Sequence, residues 1–501
     1  MEKKDVPTIT EHITSTLNEH EIRLGKVQKL QTQGKNPWPT YKLTTATIAQ
    51  ARTEFETSRD EIKVYSLAGR LVGLRDHGKT FFGHMQDRSG KIQIYFKKDE
   101  IGEQAFTFLK DFIDIGDIIW LNGVLFTTKT GEVTIKVKSF ELLSKCLHPL
   151  PEKFHGLIDV EQRYRQRYLD LISNPESREK FQRRSKIVQA IREFLLNLDF
   201  LEVETPMLHT IAGGAIARPF VTHHNAYNID LFLRIAPELH LKQLVVGGFE
   251  RVFEINRNFR NEGISTRHNP EFTTLEFYIA HGDYKKGMEL TEQLLQHVVL
   301  KNFQTTKITF QGKIIDFTIP FKRLTLEQSL IEIGELTPDQ INEKNIDATI
   351  KQHNIVIPPG AGYGIKLFAL FEALVEGKIV QPTFIIGHPL EVSPLAKRDE
   401  DNPNLTARAE LFINGMEFAN LYTELNDPID QAERFKAQAQ AKAAGDEEAH
   451  AYDAEFVKAL EYGLPPTVGC GIGIDRLVML LTDTTSIKDV ILFPTLKPVK
   501  E

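Results

Sequence analysis

The spacing of apolar positions divides the chain into stretches of different period. Residues 1–60 are polar with weak helical periodicity, carried by Ile22, Leu24, Val27 and Leu30, until Gly34 and Pro37-Trp38-Pro39 interrupt it. That stretch reads as a helical lead-in. From Val64 the period shortens to that of strands, in the runs VYSLAGRLVGL, KTFFGHMQD, KIQIYF, DIIWLNGVLFTT and VTIKVKSFELL, separated by Gly, Asp and Lys turns. Five such runs, with one helical stretch near Gln104 to Phe112, predict a small β-barrel over 61–146. Leu147 to Pro151 holds two prolines and opens a predicted linker, 147–162. From 163 to 501 helices and strands alternate without a second break in composition, which predicts one large α+β domain. Within it, residues 326–379 read as a helical insertion interrupted by Pro358-Pro359-Gly360.

Composition narrows the class. With 501 residues, 41% apolar and 26% charged, the chain is long enough for two or three domains with substantial cores, and disordered or fibrous classes are excluded. The two cysteines, Cys146 and Cys470, lie too far apart in sequence to suggest a disulfide framework or a cysteine-based zinc site. No run of about 18 apolar residues occurs, and Met1 to Thr10 lacks an apolar core, so the expectation is a cytoplasmic protein with no membrane partner. A net charge of -7 requires any nucleic acid to be held by a local patch. Lys63 to Lys98 supplies one, with eight Lys or Arg against Asp76 and Asp87. Five strands and a helix are the OB arrangement, whose face usually meets single-stranded nucleic acid.

Three stretches carry candidate chemistry. In Glu250 to Ala280, two β-rich runs flank a polar turn rich in Arg257, Arg260, Arg267 and His268, with Phe272 at its exit. Arg260 and Glu262 are two apart, so the alternation of a strand would put both on one face. Guanidinium groups suit phosphate and an aromatic ring can stack on a purine. A solvated basic hairpin is the equally open alternative. Gly469 to Asp483 sets glycines at alternate positions before an apolar helical run, but the spacing is wrong for a dinucleotide loop, and close packing of a glycine strand on a helix would explain it. In Ala409 to Asp427, Asn414-Gly415 predicts a two-residue hairpin turn that pairs Phe412 with Glu417. Glu410 and Glu417 then share a face suited to Mg²⁺, unless this is a solvated acidic face. Strict alternation puts Asn420 and Glu424 on the opposite face, so a bulge is required if all of them line one site.

Taken together, these motifs resemble the class II aminoacyl-tRNA synthetases. Phe259-Arg260-Asn261-Glu262 followed by Arg267-His268-Asn269-Pro270-Glu271-Phe272 is similar to their motif 2, Gly469 to Asp483 to motif 3, and Arg192 to Leu208 to motif 1. Glu238 in APELHLK, together with GGAIARPF, SPLAKR and TELND, resembles the lysine-specific members of subclass IIb. The resemblance implies an OB-fold anticodon-binding barrel ahead of a catalytic domain built on an antiparallel sheet with flanking helices. It also implies a ligase that activates L-lysine with ATP and transfers lysyl to tRNA(Lys), working as a homodimer through motif 1. Arg260 and Arg476 would be the catalytic residues. ATP would be held by Arg260, Glu262, His268, Asn269, Phe272, Glu410, Gly473 and Arg476. Lysine would be held by Gly214, Glu238, Arg260, Glu276, Tyr278, Glu417, Asn420, Glu424 and Gly471, and Mg²⁺ by Glu410 and Glu417. In the barrel, Phe82 would stack on an anticodon base, with Arg75, Gln93 and Glu132 beside it.

Departures from the family pattern are His240, Leu421 and His281-Gly282, and Leu421, beside Asn420, is expected to narrow the pocket. Competing readings are an aspartyl- or asparaginyl-tRNA synthetase, opposed by Glu424 and SPLAKR, and a lysyltransferase acting on a protein, opposed by the barrel. A nucleic-acid-binding scaffold with a dead catalytic domain is opposed by the presence of Arg260, Glu262 and Arg476.

Overall fold

A computed structural model describes residues 18–151, 157–215, 217–358, 360–443 and 451–499. The chain forms two compact units, Met1–Leu157 and Ile158–Glu501. Among the described residues no helix is long and apolar enough to cross a membrane.

In the first unit, strands β1 (Val64–Asp76), β2 (Thr80–Gln86), β3 (Lys91–Lys97), β4 (Ile118–Thr127) and β5 (Val133–Ser144) close into a barrel in the order β1-β2-β3-β5-β4. β3 and β5 run parallel, and the helix Glu103–Phe112 spans the connection between β3 and β4. Closure brings backbones close: a Cβ on Gly123 would stand 2.3 Å from the Lys136 carbonyl oxygen. The lead-in is part of this unit's packing. Helices α1 (Glu19–Thr32) and α2 (Ile48–Ser58) begin at capping boxes set by Asn18 and Thr47. Leu30, Ile48, Ala51 and Phe55 enter the barrel's own core. Arg23, buried, donates to the carbonyls of Ile115 and Cys146 at 3.0 and 3.2 Å. Beneath it Lys145, fully buried, binds Asp114 at 2.5 Å and Asp117 at 2.7 Å. Within the stretch read as a linker, residues 152–156 lie outside the described residues and Val160–Arg165 is helical.

The second unit is organised by a sheet of eight strands. They are β6 (Leu201–Glu202), β7 (Arg251–Phe259), β8 (Glu271–Ala280), β9 (Lys322–Thr325), β10 (Thr383–Pro389), β11 (Leu405–Ile413), β12 (Met416–Thr423) and β13 (Thr467–Gly473). The order is β9-β10-β11-β12-β13-β8-β7-β6, antiparallel except for the pairs β9·β10 and β6·β7 at its two edges. Parallel β9 and β10 need a crossover, and the insertion provides it: four helices between Leu326 and Leu374, with a core of their own that includes Leu330, Leu367, Leu370 and Phe371. One face of the sheet is covered by helices Pro175–Leu196, Tyr284–Phe303 and Ile474–Leu481, through Leu275, Phe277, Leu411, Leu421, Cys470 and Ile472. The period of two therefore sends the intervening residues of β8, β11, β12 and β13 to the other face. That face is open.

Both tryptophans lie in the barrel unit, so their fluorescence reports on it alone. Lys145→Met leaves Asp117 buried without its cation and should destabilise this unit by about 3 kcal/mol. Urea unfolding of the full chain followed by tryptophan emission reads this as a lowered midpoint. A midpoint equal to that of the parent would show the buried pair to be dispensable.

Candidate active site

The open face of the sheet floors a cavity of about 970 Å³, roofed in part by the helical insertion. Strand β13 contributes glycine at three alternate positions, so the floor is backbone. At Gly469 this is obligatory: a Cβ there would lie 2.1 Å from Glu424 Oε1 and 2.4 Å from Tyr278 Cε1. Gly471 and Gly473 meet Glu276 and Arg476 only at ordinary contact distance.

The bulge demanded by the β11–β12 hairpin is present. Asn414 and Gly415 take φ of +47° and +68°, and Phe412 pairs with Glu417 as anticipated. Leu411, however, pairs with Ala419, leaving Phe418 as the extra residue. This one-residue slip turns Glu417 to the same face as Asn420, Tyr422 and Glu424, and all line the cavity with Glu410. Two expectations need correction. β7 ends at Phe259, so Arg260 and Glu262 reach the cavity from the loop and not by strand alternation; the Glu262 amide bonds back to the Arg260 carbonyl at 2.8 Å. Leu421 does not narrow the pocket, because its alternation faces the core, where Gly287 leaves room for it.

At one end of the cavity the loop groups assemble around Arg260. Its guanidinium lies 5.1 Å from the Phe272 ring centre, its Nε has no hydrogen-bond partner among the described residues, and burial lowers its pKa. Arg476 donates to the Glu417 carbonyl at 2.8 Å and lies 3.3 Å from His268 Nε2. Burial, and then the Arg476 charge, lower the His268 pKa and favour the neutral ring. Asn269 lines the cavity too, although its amide is engaged by the backbone of Glu271 and Thr495. A cationic end with a free guanidinium edge and an aromatic face suits a nucleoside polyphosphate.

Beside it is an acidic group. Glu410 is held by Arg408 at 2.5 Å, and Glu417 lies 3.6 Å from Arg476. Glu372 and Glu376, from the insertion, line the same wall; burial and then the charges of nearby carboxylates, Glu410 and Glu417 among them, raise both above the usual carboxylate range. A divalent cation among these oxygens would relieve that repulsion. Among the described residues no preassembled set of three His, Cys, Asp or Glu ligands occurs.

The other end is narrow and anionic. Glu238 opens the helix Glu238–Val246, and a Cβ on Gly214 (φ +88°) would lie 3.1 Å from the Glu238 Cβ. Tyr422 donates to Glu238 Oε1 at 2.7 Å, and Tyr278 to Glu276 Oε2 at 3.2 Å. Glu424 is 1% exposed, and neither of its oxygens accepts an aligned hydrogen bond among the described residues. Burial pushes the Glu276 carboxyl up to about 8, reinforced by the charge of Glu238. Burial likewise lifts Glu424 to about 8, opposed by Lys242. Carboxylates this costly to bury call for cationic groups of a ligand. Sequence reasoning missed Lys242, Arg408 and Tyr422. The signal for Lys242 was its place four residues after Glu238 on a helix, and for Tyr422 its alternation with Asn420 and Glu424.

Two groups form on the barrel unit. Arg75, Phe82 and Tyr95 are neighbours across β1, β2 and β3, with Phe82 and Tyr95 ring centres 4.7 Å apart. Gln93 donates to Glu132 at 2.8 Å and accepts from Thr134 at 2.7 Å, while His84 lies 3.4 Å from Glu132. Tyr95 and His84 were not anticipated.

Comparison with known proteins agrees with these two units. Residues 159–497 match the family described as tRNA synthetases class II (D, K and N), and residues 65–143 match the OB-fold nucleic acid binding domain. Lysine–tRNA ligase of Carboxydothermus hydrogenoformans is 53% identical over 479 residues, 95% of this chain and 98% of the relative. The enzyme of that name from Staphylococcus haemolyticus is 51% identical over 485 residues, 95% and 98% of the two chains. That from Nitrosomonas europaea is 55% identical over 449 residues, 89% of each. The chain belongs to the lysine–tRNA ligases of the class II tRNA synthetases.

Proposed function

We propose that the chain activates L-lysine with ATP in the cavity of the second unit and then charges tRNA(Lys), with the residue roles set out here. The lysine carboxylate attacks the α-phosphorus of ATP. The bond to the leaving pyrophosphate breaks and lysyl-adenylate forms. A hydroxyl of the 3′-terminal ribose of the tRNA then attacks the lysyl carbonyl and AMP departs with the electron pair. The observation that carries this reading is Glu424, buried in the cavity with Oε2 on Lys242 and Oε1 unpartnered among the described residues, at the end opposite an Arg260 whose Nε is likewise unpartnered.

Arg260 spans the α-phosphate and the lysine carboxylate, Glu262 and Phe272 hold adenine, and His268, Asn269 and Arg476 take the phosphates over the Gly473 backbone. Glu238, with the chain at Gly214, holds the α-ammonium. Glu424 and Tyr278 hold the ε-ammonium, and Glu276, Glu417, Asn420 and Gly471 complete the walls. Charge stabilisation and positioning account for the chemistry without a protein nucleophile. Cys470, whose thiol burial pushes up to about 12, is unsuited to that role. Glu410 and Glu417 would hold Mg²⁺, which when bound neutralises phosphate charge. Exposed Leu196, Leu201, Met207 and Leu208, in and beside the short β6 edge, support a homodimer. We place the enzyme in the cytoplasm and assign Arg75, Phe82, Gln93 and Glu132 to the anticodon.

Lysine should drive ATP–pyrophosphate exchange, and aspartate or asparagine should drive little; absence of exchange with lysine in an active buffer would overturn the assignment. Glu424→Gln should raise the lysine KM by about 30-fold, equivalent to about 2 kcal/mol, since it truncates a buried charge contact. An unchanged KM would remove Glu424 from the pocket. Phe82→Ala forfeits base stacking of about 1–3 kcal/mol and should impair tRNA charging while sparing exchange. Equal loss in the two assays would contradict the anticodon assignment.

A further inference from the structure

Lys242 is wholly buried beside the amino-acid end of the cavity. It follows Glu238 by one helical turn, so that its Nζ lies 2.6 Å from Glu238 Oε1, and the end of the β11–β12 hairpin brings Glu424 Oε2 to 2.5 Å from the other side. The Tyr422 and Phe456 rings stand 5.7 and 5.8 Å from the same ammonium. A lysine this deep persists only with anionic partners. Its two are the carboxylates assigned to the substrate.

The contacts are distributed in a particular way. On Glu238, Lys242 and the Tyr422 hydroxyl both use Oε1, and Oε2 accepts no hydrogen bond among the described residues. On Glu424, Lys242 touches Oε2, while Oε1 faces Gly469 unpartnered. Each carboxylate keeps one oxygen in reserve.

We infer that Lys242 is a positioning residue that sets the charge of the amino-acid pocket, bridging Glu238 and Glu424 so that each presents one oxygen to one ammonium of lysine. The inference rests on the pocket assignment proposed above. Without Lys242 the pocket holds an uncompensated anion and gains a proton, and Glu424 is the site for it. The groups facing Glu424 are Lys242 and Glu238 on one helix, Glu276 and Tyr278 on β8, and Tyr422 on β12, which ends one residue before Glu424. Lys242 is the one cation among them, and it opposes the upward shift that burial imposes. Removing it therefore moves Glu424 to a still higher pKa, and the ionised carboxylate that binds ammonium is reached only at higher pH.

The test uses the full chain carrying Lys242→Met, with exchange kinetics measured between pH 6 and 9. The lysine KM at pH 7 should rise by about tenfold or more while the ATP KM stays put, and the acid limb of kcat/KM for lysine should move upward in pH, so that alkaline buffer restores part of the activity. A lysine KM and pH profile like those of the parent, or equal rises in both KM values, would overturn the inference. Should this variant not fold, the parent protein labelled with ¹⁵N-lysine decides the matter. The slowly exchanging ammonium of Lys242 should shift when unlabelled lysine is added and stay in place when ATP is added; no shift with lysine overturns it. Glu424→Gln, run alongside, separates the two claims. An unchanged lysine KM there overturns the pocket assignment and this inference together, whereas a raised one with an unmoved Lys242→Met profile overturns this inference alone.

Discussion

Carboxylates buried on the open face of the eight-stranded sheet must be met by cations, and most of the catalytic unit's local structure serves that requirement. Arg408 answers Glu410, Arg476 stands near Glu417, and Lys242 answers Glu238 and Glu424. Away from the cavity, Arg234 and Glu254 neutralise each other at 2.7 Å. In the cavity an unpartnered carboxylate oxygen of Glu424 lies toward one end and the free Nε edge of Arg260 toward the other, among the described residues. On the proposed roles, a small molecule with two ammonium groups and a carboxylate to place against Arg260 would complete the set.

The barrel unit solves a different problem. Two cations buried in it are matched within the unit, Lys145 by Asp114 and Asp117 and Arg23 by Glu19 and backbone carbonyls, and the groups proposed for recognition lie at its surface. On the roles proposed above, the barrel would use charges at its surface and the cavity of the second unit charges that are buried.

Much of the architecture could be read from periodicity. The barrel strands, the helical crossover at 326–379 and the Asn414-Gly415 turn each have a local cause that residue types express. The extra residue at Phe418 has none, because a bulge is a matter of how two strands pair and neither strand alone encodes it. Arg260 and Glu262 were placed on a strand by counting, yet the ladder stops at Phe259 and the loop carries them. Leu421 was misjudged for a related reason, since sequence neighbours on a strand point to opposite sides. Lys242 escaped because a lysine one turn after Glu238 looks like a surface pair until Glu424 is found on its other side in space. Glu372 and Glu376 reach the cavity from the insertion, across a distance no pattern within the sheet could signal.

The glycine strand has an implication for how such a site could change over generations. Backbone has no side chain to trade, so the depth of the cavity is held by a surface that substitution cannot adjust without collision at Gly469. Adaptation to a differently charged amino acid would have to be negotiated on the walls, at Glu238, Tyr278, Asn420 and Glu424. The floor acts as a ruler against which those walls are measured, and kinship among such enzymes should be easiest to trace where the chain offers selection the least to work with.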